Sequence, residues 1–109
     1  MKPESSIQKE ILEYLTKLQH NKKKCYVVRV NAGFATIGYR VVKLAPAGCP
    51  DILLCYDSRF IGLEVKKKGG KQSEDQKTAQ KFIEAAGGEY YIVRSLKKVK
   101  ETLNIWLQP

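Results

Sequence analysis

Two carboxylates and a lysine carry the sharpest chemical signal in this chain. Asp51 closes Gly48-Cys49-Pro50-Asp51, and thirteen residues on stands Glu64-Val65-Lys66. Side chains alternate along a strand, so Glu64 and Lys66 share a face. Between them lie two apolar runs, Asp51 to Tyr56 and Phe60 to Lys66, around Asp57-Ser58-Arg59, which is a hairpin signal. A two-residue turn at Asp57-Ser58 would pair Asp51 directly with Glu64, with Cβ atoms about 5 Å apart. Like charges so placed destabilise a sheet. A divalent cation between them would convert the repulsion into a binding site. Hard oxygen ligands suit Mg²⁺ or Mn²⁺, and such an ion can polarise a phosphodiester oxygen and activate a water. Lys66 is placed to orient or deprotonate that water, or to neutralise charge in the transition state. An E-x-K triplet alone is common and usually a solvated strand edge. G-x-P-D followed at this spacing by E-x-K is much rarer, its competing reading being an exposed strand face with a chance ion pair.

Two polar residues lie on otherwise apolar stripes. Gln76 is in line with Ala79, Ile83 and Ala86, and Glu10 sits between Ile7 and Tyr14. Polar groups aimed at a core boundary need partners, and a site at the sheet edge would supply them. The bland alternative is that each flanks its stripe and reaches solvent. For Gln76 a specific structural role competes or coexists, because Ser73-Glu74-Asp75-Gln76 fits a capping box. The lysine runs Lys22-Lys23-Lys24 and Lys66-Lys67-Lys68, with Lys71, are weaker signals, since such runs are usually solvated surface. The second leaves the acidic pair directly, which makes phosphate contact plausible there; both runs are candidate DNA-binding positions.

The elements that must position these residues follow from periodicity. Ile7, Ile11, Tyr14, Leu15 and Leu18 recur at helical spacing in a first helix capped by Ser5 or Ser6 and ending near His20. Cys25 to Val30 reads as a strand. Residues 32–48 are punctuated by Gly33, Gly38, Pro46 and Gly48, with one short extra strand conceivable over Tyr39 to Leu44. Phe34, Ile37 and Tyr39 there face a partner or DNA, or cap the core. After the hairpin and the loop Lys67 to Lys71, Ser73 opens a second helix that Gly87-Gly88 closes. Tyr90 to Val93 forms another strand, and Ser95 to Leu107 a last helix with Leu96, Val99, Leu103 and Trp106 on one stripe. The order αβββαβα implies an α/β domain over residues 1–109: a four-stranded sheet flanked by helices, mixed because a helical crossover joins the third and last strands in parallel.

Bulk properties narrow the function classes. The length of 109 residues allows one core. No apolar run approaches a membrane span and the N-terminus lacks a signal-peptide pattern, so a soluble, cytoplasmic protein is expected. Three cysteines without C-x-x-C spacing argue against a disulfide framework or zinc ribbon. The single histidine, His20, excludes a paired-histidine metal site within one chain. A net charge of +9 favours an anionic partner, nucleic acid being the commonest.

As a set, Glu10 on an early helix, Arg29-Val30-Asn31, Gly48-Cys49-Pro50-Asp51, Glu64-Val65-Lys66 and the helical Gln76 resemble the VRR-NUC domain of the PD-(D/E)XK nuclease superfamily. The resemblance implies a restriction-endonuclease-like fold and Mg²⁺- or Mn²⁺-dependent phosphodiester hydrolysis without an organic cofactor. It implies metal ligation by Asp51, Glu64 and the Val65 carbonyl, with Glu10 acting through the metal's water shell. The archaeal Holliday-junction resolvases of the wider superfamily share a similar order of motifs. Stand-alone members look like phage or bacterial proteins, and for them a homodimer acting on branched DNA is the expectation, its surface drawn from residues 32–48 or the region of Trp106. A flap or nicking nuclease, a catalytically silent DNA-binding module of this fold, and a basic interaction protein are the competing readings. The intact Asp51, Glu64 and Lys66 weigh against the silent module, and the basic interaction protein would leave Gln76 and Glu10 without explanation.

Overall fold

The structure is a computed structural model and describes residues 2–104. Helix α1 (Glu4–His20) buries Ile7, Ile11, Leu15 and Leu18 along one stripe. Its N-cap is Pro3, so Ser5 and Ser6 lie inside the first turn rather than capping it. Strand β1 (Cys25–Arg29) follows. β4 (Ile52–Tyr56) and β5 (Arg59–Val65) form the expected hairpin. Helix α2 (Glu74–Ala85) crosses over to β6 (Glu89–Val93), and α3 (Leu96–Leu103) ends the described chain. The sheet order is β1-β4-β5-β6, antiparallel except for the β5–β6 pair, as the helical crossover requires. Among the described residues no helix is long and apolar enough to cross a membrane.

Residues 34–43 differ from the single extra strand conceivable there. They form a complete second hairpin, β2 (Phe34–Ile37) and β3 (Arg40–Lys43), as a separate two-stranded sheet. Gly38 with positive φ is the first turn residue, which suits a tight hairpin and explains how so short a segment reverses. The full order is therefore αβββββαβα. Asn104 adopts the left-handed conformation and donates its backbone N–H to the carbonyls of Glu101 and Lys100 after Leu103; the expected continuation to Leu107 lies outside the described residues. Trp106 lies outside the described residues.

The two faces of the main sheet are unequal. Ile52, Leu54 and Tyr56, then Ile61, Leu63 and Val65, then Val93, pack against α1 and against Val99 and Leu103 of α3. Each such fully buried aliphatic side chain contributes about 1.5–3 kcal/mol, so this face is the core and holds no charge. The opposite face carries α2, none of whose residues is fully buried. There Gly62 lets Pro50 and Ile83 approach; a Cβ at Gly62 would sit 2.7 Å from Pro50 Cγ. The edge strand β1 is protected in part from α1, where Gln19 Oε1 accepts the Val27 amide at 2.9 Å.

Candidate active site

Asp57 and Ser58 both have positive φ, the signature of a two-residue type I′ turn. That turn sets the register Tyr56↔Arg59 through Ile52↔Leu63. Asp51, one residue before β4, thus falls opposite Glu64, as a two-residue turn requires. Asp51 Oδ2 accepts the Val65 amide at 2.8 Å, which ties its carboxylate to the end of β5. The next amide, that of Lys66, turns the other way and donates to Val93 of β6. The N–H and C=O of one strand residue point the same way, so the Val65 carbonyl faces the Asp51 side.

Glu64 is the buried charged residue of the described chain, 2% exposed, on the α2 face of β5. Gln76 Nε2 donates to its Oε2 at 3.0 Å, while Gln76 Oε1 accepts the Ser73 amide at 2.8 Å. One side chain therefore closes the capping box of α2 and holds the acid. Lys66 Nζ stands 3.9 Å from the same Oε2, with its side chain 12% exposed. Glu64 Oε1 is buried and has no hydrogen-bond partner. Burial raises the Glu64 pKa well above the usual carboxylate range, and the Asp51 carboxyl raises it further. Lys66 opposes that shift and Glu4 adds to it. Burial first, then the charges of Glu64 and Asp51, push the Cys49 thiol up, so it stays protonated beside the acids rather than serving as a nucleophile.

Gly48 explains the first part of the motif. Its φ is +86°, and a Cβ there would run into the Asp75 carbonyl and lie 2.8 Å from the Gln76 amide nitrogen. The chain leading into Asp51 is thus packed backbone to backbone on the first turn of α2, the turn that delivers Gln76.

The remaining sequence-based candidates divide. Lys67, Lys68 and Lys71 are exposed on the loop leaving Lys66. Arg94, which carried no sequence signal, pins that loop by donating to the carbonyls of Lys67 and Gly70 at 2.8 and 2.9 Å. Lys22, Lys23 and Lys24 sit at the other end of the sheet, where Lys24 pairs with Asp57 of the turn. A five-residue strand separates them from the acids, roughly 17 Å, so they do not flank the site. Glu10 has other partners than the acids. It pairs with Lys2 at 3.0 Å and shares a cleft with Lys68 and Arg94. The α1 acid whose charge reaches Glu64 is Glu4. Glu4 stands three residues before Ile7 on the buried stripe, a spacing present in the sequence but obscured by starting the helix at Ser5 or Ser6.

Among the described residues no three His, Cys, Asp or Glu side chains converge on one point. The donors on offer are two carboxylates and a backbone carbonyl, all hard oxygens. The buried, orphaned Oε1 of Glu64 fits a small divalent cation that completes its shell with water.

Fold and site together define a small α/β domain with an acidic, lysine-flanked centre at one end of a mixed sheet. Comparison with solved structures gives that fold its name. The chain is similar to a structure described as a VRR_NUC domain, at a TM-score of 0.64 and 20% identity over 94% of this chain and 96% of the other. The domain has the VRR-NUC fold. No family sequence model and no curated protein matches the sequence.

Proposed function

We propose that this protein is a divalent-metal-dependent endonuclease that hydrolyses phosphodiester bonds in DNA. The observation that carries the reading is the convergence of Asp51, Glu64 and Lys66 on one face at the end of β5, with a buried acid oxygen left without a partner. Mg²⁺ or Mn²⁺ would be held by Asp51, Glu64 and the Val65 carbonyl; when bound, it supplies positive charge for the scissile phosphate and acidifies a water. The chain's own groups do the positioning. Asp51 is fixed by the Val65 amide, Glu64 by Gln76, and Lys66 places a cation where negative charge builds up on the phosphate. Glu4, rather than Glu10, is the α1 acid suited to hold water at the edge of the site. Lys67, Lys68 and Lys71, on a loop braced by Arg94, are suited to backbone phosphates.

The substrate we favour is branched DNA cut by a homodimer. One chain carries one such centre, and paired nicks across a junction need two related by a two-fold axis. Incubation with linear, flapped and four-way-junction DNAs in Mg²⁺, Mn²⁺ or EDTA tests the reading. Asp51→Ala and Glu64→Ala should each abolish cleavage while the fold and DNA binding persist, and an active Asp51→Ala protein in Mg²⁺ would overturn it. A flap or nicking nuclease is the second reading. A protein that sediments as a monomer with and without a junction, and that cuts flaps only, would establish it in place of the junction activity.

A further inference from the structure

The β2–β3 hairpin has no part in the acidic centre and little share in the core. Tyr39 at its turn is 98% exposed, Phe34 and Val41 are each 71% exposed and Ile37 65%. A two-stranded ribbon in water is marginally stable on its own, and large apolar side chains displayed on one mark a surface that something covers.

Three observations say what covers it. The first is position. The base of the hairpin is stitched by Gly33 N to Ala45 O and Ala45 N to Asn31 O, and the adjoining Val30 amide bonds to the Asp51 carbonyl at 2.8 Å. The arm therefore springs from the chain that carries the first acid, between β1 and Gly48. With strands of four residues, its tip extends roughly 13 Å from that base, about four nucleotide steps of a DNA strand. The second is charge. No Asp or Glu occurs between Glu13 and Asp51, and the hairpin itself carries Arg40 and Lys43. The third is register. Phe34 pairs with Lys43, so on one face of the ribbon a ring stands beside an ammonium group, while Ile37 pairs with Arg40 on the other face. A ring that stacks on a base next to an ammonium group that meets a phosphate is the arrangement that engages unpaired nucleotides. A second copy of this chain fits worse. A two-fold contact sets the same patch against itself, and would crowd Lys43 of both copies on the Phe34 face, or Arg40 of both on the Ile37 face, with no acid on either hairpin.

We infer that the β2–β3 hairpin is a nucleic-acid arm, with Phe34 and Tyr39 stacking on unpaired bases close to the scissile phosphate while Arg40 and Lys43 hold the adjoining backbone. The inference rests on the nuclease reading for its substrate, and its test separates the two. Wild type, Phe34→Ala, Tyr39→Ala and Tyr39→Phe are titrated in EDTA against a four-way junction carrying 2-aminopurine in an unpaired nucleotide at the branch, and against a fully paired duplex of the same length. Both side chains are exposed, so the variants should keep the wild-type circular dichroism and melting. Wild type and Tyr39→Phe should change the 2-aminopurine emission. Each alanine variant should lose that change and roughly ten-fold in junction affinity, with duplex affinity unaltered. Equal losses on both DNAs, or none on either, would overturn the assignment, as would a dimer that the alanine variants convert to monomer in sedimentation. Wild type that shows the emission change but cuts no DNA in Mg²⁺ or Mn²⁺ would uphold the arm and remove the nuclease.

Discussion

Replacing Glu64 by glutamine should stabilise the metal-free protein while abolishing its cleavage of DNA. Glu64 is buried to 2% exposure beside Asp51, and its Oε1 has no hydrogen-bond partner. A buried acceptor left unsatisfied costs about 1–3 kcal/mol. Glutamine keeps the shape, removes the charge and can turn its amide nitrogen towards the Asp51 carboxylate. The gain expected in EDTA at neutral pH is therefore about 1–3 kcal/mol, each kcal/mol being worth about 4–8 °C in melting temperature for a domain of this size. Its pH dependence has a definite sign. Burial, then Asp51, raise the Glu64 pKa in the folded state, so the protonated acid favours folding. That stability is complete below the ordinary carboxylate range and is lost as pH rises through the raised value. The variant lacks this slope, and its advantage over wild type should shrink in acid. Metal reverses the order. Wild type in Mn²⁺ at 100 times its dissociation constant should gain about 2.7 kcal/mol, and the variant far less. Differential scanning calorimetry in EDTA and in Mn²⁺ reads all of this. A glutamine variant that melts below wild type in EDTA at neutral pH would refute the view that Glu64 is held for function at the expense of stability.

Further outcomes are expected from the same geometry. Gly48→Ala meets both a left-handed backbone and the first turn of α2, and should cost about 2–5 kcal/mol in urea unfolding; a neutral result would mean that the close approach of these backbones is not needed. Arg59 donates twice to Glu89 at 2.7 Å and, with Tyr91, holds the Glu89 carboxyl at a pKa of about 2. Both side chains are about one-third exposed, so the pair is worth about 1 kcal/mol. That stability should be present above pH 4.5 and fade as pH falls towards 2, and Glu89→Gln should flatten that part of an acid-unfolding curve. Replacing Lys67, Lys68 and Lys71 together by alanine should lower the salt slope of DNA binding by up to about 3, whereas the same change at Lys22, Lys23 and Lys24 should leave cleavage rates unchanged. Equal effects from the two triple variants would mean that DNA crosses the sheet to the Asp57 turn.

Much of the centre was legible in the chain. Period-two alternation places Glu64 and Lys66 on one face, and the two-residue turn brings Asp51 opposite Glu64, because strand geometry leaves no freedom once the turn is chosen. Gln76 was visible as a polar residue on an apolar stripe, and it proves to close the capping box and bind Glu64 with the two ends of one amide. Lys22 to Lys24, at the far end of the sheet beside Asp57, show where local pattern fails. A helix stripe says which side of α1 faces the sheet but not how far along the sheet each turn lies; with the cap at Pro3 the helix includes Glu4, whose charge acts on Glu64.

Local rules thus determined the helices, the main hairpin and its register and the shared face of two acids and a lysine, since each depends on neighbours close in sequence, while the mixed sheet followed from the order of elements and the helical crossover. Tertiary structure alone decided which end of the sheet each basic run occupies and which α1 acid approaches the pair. It alone placed Arg94 under the basic loop and stood residues 34–43 out as a ribbon. These depend on how elements distant in sequence are stacked, and the energy of stacking comes from nondirectional burial on the α1–α3 face, which no single segment encodes.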